Sequence, residues 1–493
     1  MIKLFNLRPI LFLALSLAGG IFFATVTPWG IWSFIIPIVV IISITLTHSF
    51  VAKEYTMLYY GILFSLAFVF GFIYFYHNVI NSKEVIEPYK TVSVTGEIQE
   101  CYDYDDERYM LTVGNLSIDG KQISGYTARV ITKTTGLKKH DLISFSTSFK
   151  VVQLSIKNLD FIKNKTCLIA NNYIEAKYIG DNSTIFNDIA RLAKSKLLEY
   201  VPEGQAGVLI ALVLGDTNYI DSELLSKYSM AGIAHIFAVS GLHISFFCAM
   251  FAFLFTKMGV RRLYNAIPVF LIGMFYVGVC DFSVSALRAL FMYFILKLSS
   301  SIGRKYDFLN SIFLSMILVL LIFPESLFSY GFLLSYSAVI SIALFSREFT
   351  NLFVKLPKSI SSKFGVSLAV VVGTLPVIIV MLGEVSVITI LLNVVFLPIV
   401  SVIYYFTLIG TIIAMIFPHF NAFLIVANAL VYLINSIMLN IAFERFLLKF
   451  NASEILLIPY MFNIILLSDK VNISKNARKY AYYFLPFSVM LLI

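Results

Sequence analysis

Between two stretches apolar enough to sit in a bilayer, residues 212–244 (LVLGDTNYIDSELLSKYSMAGIAHIFAVSGLHI) carry Asp216, Asp221, Glu223, His235, Ser240 and His243. Gly215, Gly232 and Gly241 interrupt the helical pattern there. In hydrocarbon every backbone N–H and C=O must be paired internally. Polar side chains and irregular backbone therefore survive at membrane depth only where they are buried in protein or line a watered cavity. This segment is the expected functional centre.

The class follows from composition: 59% of residues are hydrophobic and 13% charged, against about a quarter charged in soluble domains. The expected fold is a polytopic α-helical integral membrane protein. The net charge of +9 does not indicate a nucleic-acid ligand, because cytoplasmic loops collect Lys and Arg for topological reasons alone. Residues 1–80 read as three transmembrane helices, at Ile10–Val26, Ile31–Leu46 and Met57–Tyr76. The first lacks a small-residue cleavage site and reads as retained rather than as a signal peptide. Lys3, Arg8 and Lys53 put the N-terminus in the cytoplasm and residue 80 outside.

Residues 87–180 change character. Alternating stretches at Thr91–Ile98, Tyr109–Val113, Tyr126–Thr132 and Leu142–Val152, with turn glycines at Gly114, Gly120, Gly125 and Gly136, predict a small extracytoplasmic β-barrel or sandwich. Its basic and acidic residues nearly balance, which leaves single-strand binding and a scaffold role both open. Cys101 and Cys167 are a candidate disulfide pair in an oxidising compartment, with two buried thiols as the alternative. Neither has a second ligand at zinc-finger spacing. No metal or cofactor is expected.

Residues 184–202 form an amphipathic pattern suited to the membrane interface. Ala206–Leu214 is too short to span and reads as a half-helix, Asp221 as an N-cap, and Ile233–Phe255 as a full crossing. His235 and His243 are eight apart, about 80° out of register on an unbroken helix, which disfavours a metal pair. Ser240 and His243 leave a membrane-embedded hydrolase open, without a nucleophile elbow to support it. The other readings are groups lining a permeation path, that of a small solute among them, and a satisfied interhelical network. Asp281 stands at the outer end of the next hairpin and Arg288 returns within it, either paired with Asp281 or meeting an anion in transit. Glu384 is placed at the outer mouth after Gly365–Leu382. Asn393 and Pro398 interrupt Val387–Phe417, read as one crossing. No G-x-x-x-x-G-K-[ST] phosphate loop occurs.

Several ordered blocks carry a resemblance. Leu214-Gly215-Asp216, Ala231-Gly232 with His235, Ala238-Val239-Ser240-Gly241-Leu242-His243, Ser285-Ala286-Leu287-Arg288-Ala289 and Gly331-Phe332-Leu333-Leu334-Ser335-Tyr336 are followed by Gly373-Thr374-Leu375-Pro376, Gly383-Glu384-Val385-Ser386 and Asn393 to Pro398. Together they resemble the ComEC competence family. The resemblance implies a bacterial plasma-membrane channel for single-stranded DNA uptake in natural transformation, with residues 203–493 as the channel domain and an OB-like β-domain. It also implies an external DNA receptor, a cytoplasmic motor ATPase and a separate nuclease as partners, with a homodimer as an option. The chain reaches Ile493 without an H-x-H-x-D cluster, so the short form, lacking the metallo-β-lactamase-like domain, is expected. By the same implication Gly215, Asp216, His235, Ser240, Gly241, His243, Asp281, Arg288, Glu384 and Asn393 line the path.

Overall fold

A computed structural model describes residues 9–25, 56–80, 91–105, 108–123, 126–137, 139–151, 162, 166–181, 184–261, 264–301, 303, 306–417, 419–441, 443–450 and 460. The expected span at 31–46 lies outside the described residues. Two compact units are present, one comprising Pro9–Asn187 with Met316–Ser329, the other containing Asp188–Ser315 and the chain from Tyr330 onward.

In the first unit, α1 (Pro9–Thr25) and α2 (Thr56–Phe75) pack closely. Gly20 faces the Phe68 carbonyl and Gly71 the Leu17 carbonyl, with no room for a Cβ at either. Small residues let apolar helices approach where lipid supplies no hydrophobic drive.

The β-domain has seven strands, β1 (Thr91–Asp105), β2 (Arg108–Ile118), β3 (Lys121–Gln122), β4 (Thr127–Thr132), β5 (Asp141–Val151), β6 (Thr166–Ala170) and β7 (Lys177–Asp181). Five close a barrel in the order β1-β2-β4-β6-β5 and back to β1, with β4 and β6 parallel and the other pairs antiparallel. This is an OB-like barrel. Closure depends on β1 pairing on both edges, and three register shifts along it toward β2 supply the bends. Alternate residues fill the interior, among them Val94, Ile98, Leu111, Val113, Val130, Ile143 and Phe145. Gly120 and Gly136 occupy turns at φ +82° and +81°. Gly114, expected in a turn, is instead inside β2, where the Gln99 side chain fills the space a Cβ would need. The side chain of Cys167, and so the candidate bridge to Cys101, lies outside the described residues.

From Ile185 onward the described chain is mainly helical. In order come α3 (Ile185–Tyr200), α4 (Glu203–Leu214), α5 (Ser222–Met230), α6 (Gly241–Lys257), α7 (Ala266–Val279), α8 (Val284–Ser301), α9 (Phe308–Ile322), α10 (Tyr330–Leu352), α11 (Lys358–Leu382), α12 (Thr389–Ile416) and α13 (Ala422–Asn440). Between α11 and α12, β8 (Glu384–Ser386) pairs with β9 (Leu447–Lys449). α10 packs against α11, with Gly365 on Thr350 and Gly373 on Ser341. Lys358 and Lys363 fall in the first two turns of α11. α12 runs unbroken for 28 residues through Pro398, as one crossing.

Among the described residues six helices are long and apolar enough to cross a membrane: Tyr59–Val79, Ala234–Lys257, Tyr330–Leu352, Lys358–Leu382, Thr389–Ile416 and Ala422–Asn440. The chain is a polytopic membrane protein with an inserted β-barrel.

Candidate functional site

The half-helix α4 is buried from Ala206 to Leu214. It stops at Gly215, whose left-handed φ of +78° suits a residue without a Cβ. Asp216 then turns away: its carboxylate meets Lys194 Nζ on α3 at 2.5 Å and accepts the Asn218 backbone N–H at 3.1 Å. Asp221 caps α5 by accepting the Glu223 and Leu224 N–H groups, as its position after an irregular turn predicts.

After α5 the chain passes through Gly232 at φ +72°, packed so tightly on Thr389 that a Cβ would collide. The Thr389 hydroxyl donates to the Ala231 carbonyl at 3.0 Å. Residues Ala234–Ile236 make one 3-10 turn, and regular helix resumes only at Gly241. The expected crossing is thus broken at its start rather than helical from Ile233. The reason is local, because Ser240 adopts an extended conformation and caps α6. Its hydroxyl accepts the His243 N–H, while His243 Nδ1 accepts the Ser240 N–H, both at 3.4 Å. Such a reciprocal pair stabilises a helix start over continuation of the preceding turn. The break leaves the His235 side chain exposed on the non-helical segment that leads into α6.

Three of the sequence blocks meet at the first turn of α6. Ser285 on α8 donates to the Val239 carbonyl at 2.7 Å. One turn on, a Cβ placed on Gly241 would lie 3.3 Å from Arg288 Nη2 and 3.5 Å from the Ala289 Cβ. Arg288 is buried, donates through Nη1 to the Ser335 carbonyl and sits 5.8 Å over the Tyr336 ring. It does not pair with Asp281, which lies exposed at φ +58° in the turn between α7 and α8.

Beneath the turn, the His243 ring stacks on Tyr404. Tyr276 donates to the Val213 carbonyl near the end of α4 and lies 3.2 Å from the Tyr404 hydroxyl. Gly215 approaches the same place, since its missing Cβ would lie 3.1 Å from the Val239 side chain.

Of the predicted residues, Gly215, Ser240, Gly241, His243 and Arg288 are brought together around the α6 N-terminus, with His235 on the segment leading into it. Asp216 binds Lys194. Glu384 pairs with Lys449 at 3.4 Å, and Asn393 reaches Ser367 on α11 at 3.4 Å. Tyr276, Tyr336, Thr389 and Tyr404 were not predicted as site residues. A tyrosine within an otherwise apolar run, as at Tyr276 and Tyr404, was the available signal, since a buried phenol needs a partner.

The family model for "Competence protein" matches residues 212–469, more than half of the chain. ComE operon protein 3 of Bacillus subtilis (strain 168) is 29% identical over 198 residues, which cover 40% of this chain and 25% of that protein. An uncharacterized protein of Aquifex aeolicus (strain VF5) is 28% identical over 171 residues, covering 34% of this chain and 39% of the relative. The matched part therefore spans about a quarter of one relative and two fifths of the other. No solved structure matches the chain. Every block around the α6 N-terminus falls within or against the matched region, and the chain belongs to the competence protein family, that of ComEC.

Proposed function

We propose that the chain forms a passive conduit through which single-stranded DNA crosses the bacterial plasma membrane into the cytoplasm during natural transformation. The observation that carries this reading is the broken span. Residues 237–240 leave the helix and His235 is exposed, within a segment long and apolar enough to cross a membrane, where bilayer chemistry otherwise demands continuous helix. Residues 203–493 would make the conduit, with residues 1–80 as anchoring helices and 184–202 lying at the interface. The N-terminus would lie in the cytoplasm and the 87–180 barrel outside.

No reaction is assigned to the chain itself. His243 Nδ1 is engaged with the Ser240 backbone N–H rather than its hydroxyl, which favours a helix-capping role over that of a general base. Each phosphate moved inward against the membrane potential costs about 2.3 kcal/mol per 100 mV. A cytoplasmic motor ATPase, an external receptor and a separate nuclease are the implied partners, and a homodimer remains an option for assembly.

The test is uptake of labelled DNA in cells lacking the gene. The conduit reading expects DNA to stay outside and entry to return with the wild-type gene. A His235→Cys protein should react with a membrane-impermeant thiol reagent above the parent's background, and the adduct should block entry. Normal entry in the deletion strain overturns the proposal.

A further inference from the structure

Ser285, Arg288 and Ala289 stand at i, i+3 and i+4 on α8 and so share the face that receives the first turn of α6. That turn is the positive end of a 17-residue helix. The guanidinium beside it is ionised at any pH a cell meets and only 6% exposed. Two positive centres therefore meet, the guanidinium buried and the helix end only partly so.

Among the described residues no carboxylate offsets them. Arg288 spends Nη1 on the Ser335 carbonyl, and its Nε has no hydrogen-bond partner. The capping box uses the N–H groups of Ser240 and His243, while those of Gly241 and Leu242, the first two of the helix, have no intrahelical acceptor. Uncompensated buried charge is costly. An oxyanion seated between the two N–H groups and the guanidinium would remove that cost with charge-assisted hydrogen bonds.

We propose that Arg288 and the first turn of α6 form a discrete binding site for a tetrahedral phosphoryl oxyanion. The site takes one backbone phosphate of a passing strand, and the same chemistry admits free phosphate. As a resting point for the strand it depends on the conduit reading, but as an anion site it stands independently.

The test is a titration of the purified full chain in nanodiscs with inorganic phosphate, followed by thermal stability, with chloride at matched ionic strength as the control. Phosphate should raise the melting temperature of the wild type more than chloride does, and a short single-stranded oligonucleotide should compete with it. Arg288→Gln should weaken phosphate binding by about tenfold or more, and Arg288→Lys should fall between. Should Arg288→Gln fail to fold, Gly241→Ala places a methyl 3.3 Å from Arg288 Nη2 without removing a charge and should also weaken phosphate binding.

Equal stabilisation by phosphate and chloride, or undiminished phosphate affinity in the folded Gln or Ala variant, overturns the site. Loss of phosphate selectivity with DNA entry still dependent on the gene overturns the site alone. Phosphate selectivity that depends on Arg288, with DNA entry independent of the gene, overturns the conduit alone.

Discussion

The His243 imidazole lies nearly flat on the Tyr404 ring, with centroids 4.4 Å apart and planes 14° from parallel, and the Tyr404 hydroxyl reaches the His243 backbone carbonyl at 3.2 Å. One side chain of α12 therefore holds the first turn of α6 by both its face and its tip. Through Tyr276 the contact continues to the Val213 carbonyl, so α4, α6, α7 and α12 share one buried polar chain.

Tyr404→Phe keeps the stacked face and removes the hydroxyl, and should cost about 1 kcal/mol. Tyr404→Ala removes both and should cost about 3 to 5 kcal/mol. Thermal unfolding of the detergent-solubilised protein measures the two, and a cycle with Tyr276→Phe should show non-additive losses because the hydroxyls share one network. Equal effects of Phe and Ala would place the whole contribution in the hydroxyl.

Gly232→Ala should destabilise by about 2 kcal/mol or more, since an L side chain at positive φ costs about 1 to 2 kcal/mol before any collision. Here the new methyl also meets Thr389, which holds the Ala231 carbonyl. Gly331→Ala, in α10 with nothing near the added Cβ, is the control and should be neutral or mildly stabilising. Melting temperatures of the pair decide it.

The Lys194–Asp216 pair is about four-fifths buried at each end. Asp216→Ala should cost more than Asp216→Asn, because asparagine still offers an acceptor to the Asn218 N–H. Asp216→Asn should lose about 1 kcal/mol or less, as for a part-screened ion pair. A Lys194→Asp/Asp216→Lys exchange should recover part of the loss, and added salt should shrink the wild-type advantage. Hydrogen exchange across residues 188–220 is the readout.

In the barrel, Glu97 is buried and accepts from Asn115 Nδ2 at 2.8 Å, with His140 Nδ1 also at 2.8 Å. Glu97→Ala removes the acceptor that both partners share and should cost about 1 to 2 kcal/mol, while Glu97→Gln keeps a hydrogen-bonding group and should cost less. Faster exchange confined to β1, β2 and the His140 turn would mark the loss.

The helices were legible because a bilayer leaves a segment few choices. The apolar runs expected at 10–26 and 57–76 are found as α1 and α2 within a few residues, and that at 365–382 inside α11. The half-helix at 206–214 and the Asp221 cap were legible for the same local reasons, length and capping chemistry. Four strands announced themselves by alternation. β6 and β7 did not, because each has only five residues, too few for a period of two to stand out. The partner of Arg288 was also hidden: Asp281 is seven residues away in sequence, whereas Ser335 and Tyr336 are 47 and 48 away, and only packing of α8 on α10 brings them close.

By itself the sequence determined that this chain is a multi-pass membrane protein with a β-domain inserted after its early helices, and that one polar, glycine-punctuated segment is the exception to bilayer rules. Those properties follow from local free energies, namely burial of apolar side chains, pairing of every backbone group and the φ angles glycine permits. The tertiary structure alone decided that Gly241, His243 and Arg288 meet at one helix end while Asp216 is drawn off to Lys194. The cost of an unpaired charge depends on what stands opposite it in space, and residues far apart along the chain supply that.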